Sequence, residues 1–109
     1  MSQSERRATP RFEPKSGAHI LYREGTGEIK DLSLNGMFVV DQDPLPEGTK
    51  FSFALRIAPI DIQLQGIVIR SEPKEGMVIQ FADITPEARR RLRIYIGGLI
   101  PATGERTKP

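Results

Sequence analysis

Cysteine and tryptophan are both missing from this sequence, and histidine occurs once, as His19. Without cysteine the chain has no disulfide, no thiol nucleophile and no cysteine-based zinc site. His19 has no acidic partner close by in sequence, so we expect it to have a structural or surface role. The scattered acidic residues lack the spacing of metal ligands, and the motifs of phosphate-binding loops and nucleophile elbows are missing too. We therefore expect a protein that is not an enzyme and holds no metal or cofactor.

Long apolar runs are also missing. No stretch approaches the ~20 apolar residues that span a bilayer, and the N-terminal residues lack the apolar core of a secretory signal. We expect a cytoplasmic protein without a membrane span. The length of 109 residues fits one domain, and an apolar fraction of 38% with five Phe indicates a small, mostly aliphatic core.

An excess of one charge is missing as well, because the net charge is only +2. This argues against a strongly basic nucleic-acid binder. The arginines are nevertheless grouped near the two ends of the chain, in the clusters Arg6, Arg7, Arg11 and Arg89, Arg90, Arg91, Arg93. Two local clusters on a nearly neutral body favour a small anionic partner over a long polyanion. For the second cluster a solvated face is the default, and a partner-docking or dimer surface is the alternative.

Short apolar stretches separated by turns begin at Gly17 and predict six β-strands. The predicted strands cover residues 18–22, 28–32, 36–40, 51–57, 60–69 and 77–81, with a turn at 25–27 and a loop at 41–49. After Gly66 the apolar positions shift parity to Ile67 and Ile69, which predicts a β-bulge or a barrel corner at the glycine.

A helix is predicted near the C-terminus. Thr85 is a good N-cap, Pro86 suits the first helical position, and Glu87 suits the positive end of the helix dipole. An apolar stripe follows, and Gly97 and Gly98 should end the helix. We predict an all-β fold, a six-stranded antiparallel β-barrel with a C-terminal α-helix and a flexible N-terminal arm. Its parts are the arm at 1–16, the barrel and helix at 17–100 and a tail at 101–109. A five-stranded barrel and an open roll stay open as alternatives.

Two short segments carry side chains suited to binding an anionic ligand. Arg7 and Arg11 lie four residues apart on the arm, where Pro10 disfavours a helix. Arginine binds phosphate with two hydrogen bonds, pairs with the O6/N7 edge of guanine and stacks on bases. A solvated basic tail would explain the same residues.

The second segment is the turn from Asp31 to Gly36. Aspartate and serine two residues apart commonly shape a turn, and Gly36 can adopt positive φ at no steric cost. This structural explanation is sufficient by itself. Functionally, the Asp31 carboxylate could accept the N1 and N2 protons of a guanine, while the Ser33 hydroxyl and turn amides could hold phosphate or ribose oxygens.

An RxxxR arm followed after about twenty residues by DxSxxG resembles the PilZ family. Residues 5–12, the strand at 76–81 and the helix near Thr85 add to the resemblance, which covers residues 5–100. Val78 departs from it, since many members have a second glycine there. The resemblance implies a six-stranded barrel that binds cyclic di-GMP.

The resemblance also implies roles for individual residues. Arg7 and Arg11 would grip guanine and phosphate, Asp31 would contact a guanine edge, and Ser33 would contact phosphate or backbone. Gly36 would allow the ligand to approach closely, with Asn35 in the same turn. An arginine at the position of Arg6 is similar to what accompanies two intercalated ligand molecules per site in this family.

The function expected from these residues is that of a cyclic di-GMP effector. Ligand binding would order the arm and change the surface offered to a downstream protein or the geometry of an oligomer, with motility, biofilm or exopolysaccharide as the regulated output. Two alternatives stay open: a ligand-independent PilZ-like interaction module, and a small barrel that binds single-stranded nucleic acid through Phe51 and Phe53. The few aromatics and the low net charge argue against nucleic acid.

Overall fold

A computed structural model describes residues 11–101 of the chain. The strands, in chain order, are β1 (Phe12–Glu13), β2 (His19–Tyr22), β3 (Gly25–Leu32), β4 (Gly36–Val40), β5 (Lys50–Ile57), β6 (Ile60–Glu72), β7 (Gly76–Ala82) and β8 (Ile100–Pro101). One helix, α1 (Pro86–Gly97), lies between β7 and β8. Within these residues no helix is long and apolar enough to cross a membrane.

Six of the strands form a closed antiparallel barrel. The order is β2-β5-β6-β7-β4-β3, and pairing of β3 with β2 closes the cylinder. Closure leaves the barrel strands without free edges. The prediction of a six-stranded antiparallel barrel with a C-terminal helix is confirmed.

The barrel encloses a core that is aliphatic except for a short aromatic row. Tyr22, Phe51, Phe53 and Phe81 are successive neighbours in this row, with ring centroids 5.2 to 6.3 Å apart. The Thr85 side chain caps α1 by accepting a hydrogen bond from the Ala88 N–H at 3.1 Å. The buried stripe of the helix packs on the core through Ala88, Leu92 and Ile96.

The predicted change of face at Gly66 is wrong. Ile62, Leu64, Gly66 and Val68 all face inward, so the alternation continues through the glycine. A Cβ on Gly66 would lie 2.5 Å from Cγ2 of Ile79. The core therefore already fills the inward space at this position, and only glycine fits. The bulge lies three residues later, at Ile69, between the paired residues Val68 and Arg70.

The first hairpin also differs from the prediction of a turn at 25–27. Its turn is formed by Arg23 and Glu24, and Gly25 already pairs with Tyr22 as the first residue of β3. Two further strands fall in the segments assigned above to the arm and the tail.

β1 lies in the predicted arm, and β8 includes Pro101 from the predicted tail. β1 pairs antiparallel with β3 on one side and with β8 on the other. Residues 12–13 of the predicted arm therefore form a strand. Residues 1–10, which carry the rest of the predicted arm, lie outside the described residues.

Candidate functional site

Asp31 lies at the end of β3, directly after a β-bulge. Ile29 pairs with Val39 and Asp31 pairs with Phe38, so Lys30 is an extra residue in β3. Because of this insertion both Ile29 and Leu32 face the core. The bulge thereby turns the Asp31 side chain to the outer face of the barrel, as bulges commonly do near binding sites.

β1 brings Arg11 to this carboxylate. Phe12 pairs with Leu32, which makes Arg11 a diagonal neighbour of Asp31 on the outer face. The Nη1 atom of Arg11 lies 2.5 Å from Oδ1 of Asp31, and the two side chains are 40% and 22% exposed. The two motifs that are about twenty residues apart in sequence thus present a guanidinium and a carboxylate side by side at the surface.

This pair offers complementary hydrogen-bonding groups. The guanidinium supplies donors for a phosphate or for the O6/N7 edge of a guanine, and the carboxylate supplies acceptors for the guanine N1 and N2 protons. Both groups stay partly exposed, so a ligand can reach them without unfolding of the barrel.

Ser33 organises the turn that follows Asp31. Its hydroxyl accepts hydrogen bonds from the backbone N–H groups of Asn35 and Gly36 at 3.2 and 3.1 Å, and it donates to the Gly36 carbonyl at 3.2 Å. The residue is only 3% exposed. Its hydroxyl therefore stabilises the turn, as the structural explanation of this motif requires. A contact of Ser33 with phosphate stays a prediction.

Asn35 and Gly36 fix the turn to the end of β7. The Asn35 carbonyl accepts a hydrogen bond from the Phe81 N–H at 2.8 Å, and Gly36 pairs with Gln80. A Cβ on Gly36 would lie 2.2 Å from the carbonyl oxygen of Ile79. The close approach that Gly36 permits here is thus the approach of β7.

The expected positive φ at Gly36 is wrong. The described glycines with positive φ are Gly17, Gly25 and Gly48. The reason for glycine at residue 36 is steric, since the neighbouring strand leaves no room for a side chain. Asn35, in the same turn, is exposed.

Tyr95 and β8 hold the segment next to Arg11. The hydroxyl of Tyr95, on α1, accepts a hydrogen bond from the backbone N–H of Lys15 at 2.9 Å, and Glu13 pairs with Ile100 in β8. A cleft of about 150 Å³ lies between residues 15–18, the turn at Ile57 and Tyr95. The sequence did not predict that β8 and Tyr95 hold this segment, because strands of two residues have no periodicity to detect.

The other arginines singled out in the sequence lie either outside the described residues or on α1. Arg6 and Arg7 lie outside the described residues, so their roles stay predictions. Arg89, Arg90, Arg91 and Arg93 lie on α1, and within residues 11–101 the salt bridges involve none of them. Arg90 and Arg93 are exposed and Arg89 and Arg91 are half-buried, and the solvated face and the docking surface both stay predictions. No group of three or more potential metal ligands occurs in the described part of the chain.

Outside the site, Tyr22 has a perturbed hydroxyl. Burial and, after it, a hydrogen bond to the Asp41 carboxylate raise the pKa of Tyr22 above its ordinary value. Asp41 also accepts a hydrogen bond from the Asp43 N–H at 3.0 Å. These contacts close the end of the barrel that holds the turn at Arg23 and Glu24.

The fold and the site define a small antiparallel β-barrel that carries an Arg–Asp pair and a hydrogen-bonded turn next to each other in the chain. The PilZ domain model matches residues 5–98, nearly the whole chain, and the chain belongs to the PilZ domain family. Among curated protein sequences none matches it.

Solved structures share the fold, among them two of YcgR and one of a Legionella protein. The PilZ domain of YcgR from Escherichia coli, with c-di-GMP, superposes with a TM-score of 0.70 at 17% identity over 86% of this chain and 91% of that one. A longer Escherichia coli YcgR in complex with c-di-GMP gives 0.69 at 20% identity over 84% of this chain and 45% of that chain. An uncharacterized Legionella protein gives 0.61 at 24% identity over 77% of this chain and 86% of that one.

Proposed function

We propose that this chain binds c-di-GMP on the outer face of the barrel and acts as a non-enzymatic effector. The observation that carries the proposal is the contact between Arg11 and Asp31 in a member of the PilZ family. The YcgR structures, whose ligand is c-di-GMP, add support. A dinucleotide with two guanines and two phosphates matches a site that combines guanidinium donors with a carboxylate acceptor.

In the proposed complex the ligand inserts at the Arg11–Asp31 pair. Asp31 accepts the N1 and N2 protons of one guanine, and Arg11 and Arg7 bind that guanine and the phosphates. Arg6 adds a third guanidinium, which favours two stacked ligand molecules per site. Loss of the Arg11–Asp31 contact costs little, because exposed ion pairs contribute only about 0–1 kcal/mol.

The proposed output is a change in the surface that the protein presents. β1 pairs with β8, and the backbone N–H of Lys15 donates a hydrogen bond to the Tyr95 hydroxyl on α1. A ligand held by Arg11 therefore acts on the segment that connects the arm to the helix. We expect a downstream protein in the cytoplasm to recognise the ligand-bound surface and control motility, biofilm or exopolysaccharide.

The nucleic-acid alternative loses its main support. Phe53 is 2% exposed, and its ring packs between Phe51 and Phe81. Phe53 is therefore a core residue and half-buried Phe51 packs against the core, whereas base stacking needs exposed rings.

The variant Arg7→Ala separates the candidate functions. Calorimetric titration with c-di-GMP should give saturable binding for the native chain and a large loss for Arg7→Ala, whereas Arg23→Ala, at the far hairpin, should bind like the native chain. A ligand-independent interaction module would give no heat with any of the three. An RNA-binding barrel would instead show salt-dependent binding to single-stranded RNA that Arg7→Ala only weakens.

A further inference from the structure

Asp31 is the first member of a row of outward-facing residues that crosses four strands. Asp31 on β3 pairs with Phe38 on β4, Phe38 pairs with Val78 on β7, and Val78 pairs with Arg70 on β6. At the usual strand spacing of ~4.8 Å, three steps place Asp31 and Arg70 about 14 Å apart along the sheet.

Two β-bulges set the two ends of this row. One is at Lys30, directly before Asp31, and the other is at Ile69, directly before Arg70. Each inserts one residue and so reverses the face of the residue after it. Since a side-chain period of two would otherwise point both residues inward, the bulges put both charged groups at the same level on the outer face.

The middle of the row is apolar and half-buried. The ring of Phe38 occupies the space beside Gly76, where a Cβ would lie 2.8 Å from its Cζ atom. The ring therefore lies against the sheet, next to Val78. An apolar strip with a carboxylate and a guanidinium at one end and a second guanidinium at the other fits a molecule with flat rings and anionic or carbonyl groups at both ends.

Arg70 is available at its end of the row. Its side chain is 63% exposed, and its Nε atom lies 3.0 Å from Oε2 of Glu72, which is itself 38% exposed. An ion pair of this kind is weak in water, so a ligand group can replace it at small cost.

We propose that this row is the floor of the ligand site and that Arg70 binds the half of the dinucleotide that lies farther from Asp31. The inference rests on the proposed function. A cyclic dinucleotide carries its two guanines on opposite sides of one sugar–phosphate ring, so it can present one base to Asp31 and the other to Arg70. The strip of Phe38 and Val78 supports the ring system, and the Arg70 fork pairs with the O6/N7 edge of the far guanine or stacks on it.

The experiment compares Arg70→Ala with Arg56→Ala by calorimetric titration with c-di-GMP. Arg56 is a matched control, because it is also exposed, lies on a barrel strand and pairs with a carboxylate, Asp61, at 3.5 Å. Arg70→Ala should weaken binding by about 10-fold or more, the loss of a charge-assisted hydrogen bond, while Arg56→Ala should stay within about 2-fold of the native chain. Arg70→Lys should recover only part of the affinity.

A second variant tests the Arg70 end of the row through Glu72, the ion-pair partner of Arg70. Glu72→Gln releases Arg70 from its ion pair and should leave binding equal or tighter. Melting curves of each variant confirm that the barrel is folded. Native-like binding by Arg70→Ala would overturn the assignment of Arg70 and leave c-di-GMP binding intact. Absence of binding by the native chain would overturn both proposals.

Discussion

Arg11 and Asp31 form an ion pair across the junction of β1 and β3, with 2.5 Å between Nη1 and Oδ1. The contact joins the two sequence motifs at one point of the surface. It is also partly exposed, so its contribution to stability and its role in binding can be separated by mutation.

The variant Asp31→Ala should lose c-di-GMP binding without losing the fold. The partly exposed pair contributes on the order of 1 kcal/mol to folding, so the melting temperature should change little, whereas binding loses its guanine acceptor. Titration calorimetry and thermal melts measure the two effects. The matched control is Asp61→Ala, which breaks the exposed pair with Arg56. Equal affinity in the two variants would refute the role of Asp31.

Ser33→Ala should destabilise the protein. The hydroxyl takes part in three hydrogen bonds within the turn and is buried, so its removal leaves backbone groups unsatisfied at a cost of about 1–3 kcal/mol. Each kcal/mol should lower Tm by on the order of 4–8 °C in a domain of this size. We expect weaker ligand binding as a consequence of the looser turn. An unchanged Tm would contradict the structural role.

Gly36→Ala should destabilise the barrel more than a substitution at a roomy glycine. Its Cβ would overlap the Ile79 carbonyl oxygen on β7, and backbone atoms cannot move aside cheaply. The expected loss is about 3 kcal/mol, at the upper end of overpacking costs. The control is Gly97→Ala, where no atom lies within 4 Å of the added group. Urea unfolding should show a native or slightly higher stability for that helix variant. Similar losses for both variants would rule out the steric explanation.

The raised pKa of Tyr22 predicts that the protein loses stability at alkaline pH. Burial and the hydrogen bond to Asp41 raise the pKa of Tyr22 in the folded state above the unfolded value of about 10. Above that pH the unfolded chain releases the proton while the folded chain retains it. The stabilisation is therefore complete below pH ~10 and decreases as the pH rises further. Urea unfolding at pH 8 and pH 10.5 should show the decrease, and Tyr22→Phe should reduce it. An equal decrease in the variant would assign it to other groups.

The regular elements of the fold could be predicted because each repeats its pattern over several residues. Phe51, Phe53, Leu55 and Ile57 alternate through β5, and the capped stripe of α1 begins after Thr85. β1 and β8 have only two residues each, which is too short for a pattern. They are strands because they pair with residues far away in sequence.

The bulges illustrate a second limit of sequence reasoning. An inserted residue is defined only relative to the partner strand, so the positions of Lys30 and Ile69 depend on register. At Gly66 the sequence predicted a bulge or corner that is not there. An inward-facing glycine looks like a break in the apolar alternation, although neighbouring side chains fill the core at this position.

For the candidate site, the sequence predicted Arg11 and Asp31, which the structure places in contact, and the turn hydrogen bonding of Ser33. Ligand binding by these residues stays a prediction. The sequence did not predict the steric reason for Gly36, because the close approach of β7 is a tertiary contact. Close approach of a ligand to Gly36 stays a prediction. The sequence also did not predict that strand pairing aligns Arg70 with Asp31, or that Tyr95 contacts Lys15, since both relations depend on tertiary structure.

Titration of the native chain with c-di-GMP, followed by calorimetry and by the shift in melting temperature, tests the central claim most directly. We predict saturable binding selective over GMP, one or two ligand molecules per chain, and a Tm that rises with ligand concentration, because a ligand that binds only the folded state stabilises it. The absence of both heat and a Tm shift at high ligand concentration would contradict c-di-GMP binding, and would leave a PilZ barrel that interacts with its partner without the nucleotide.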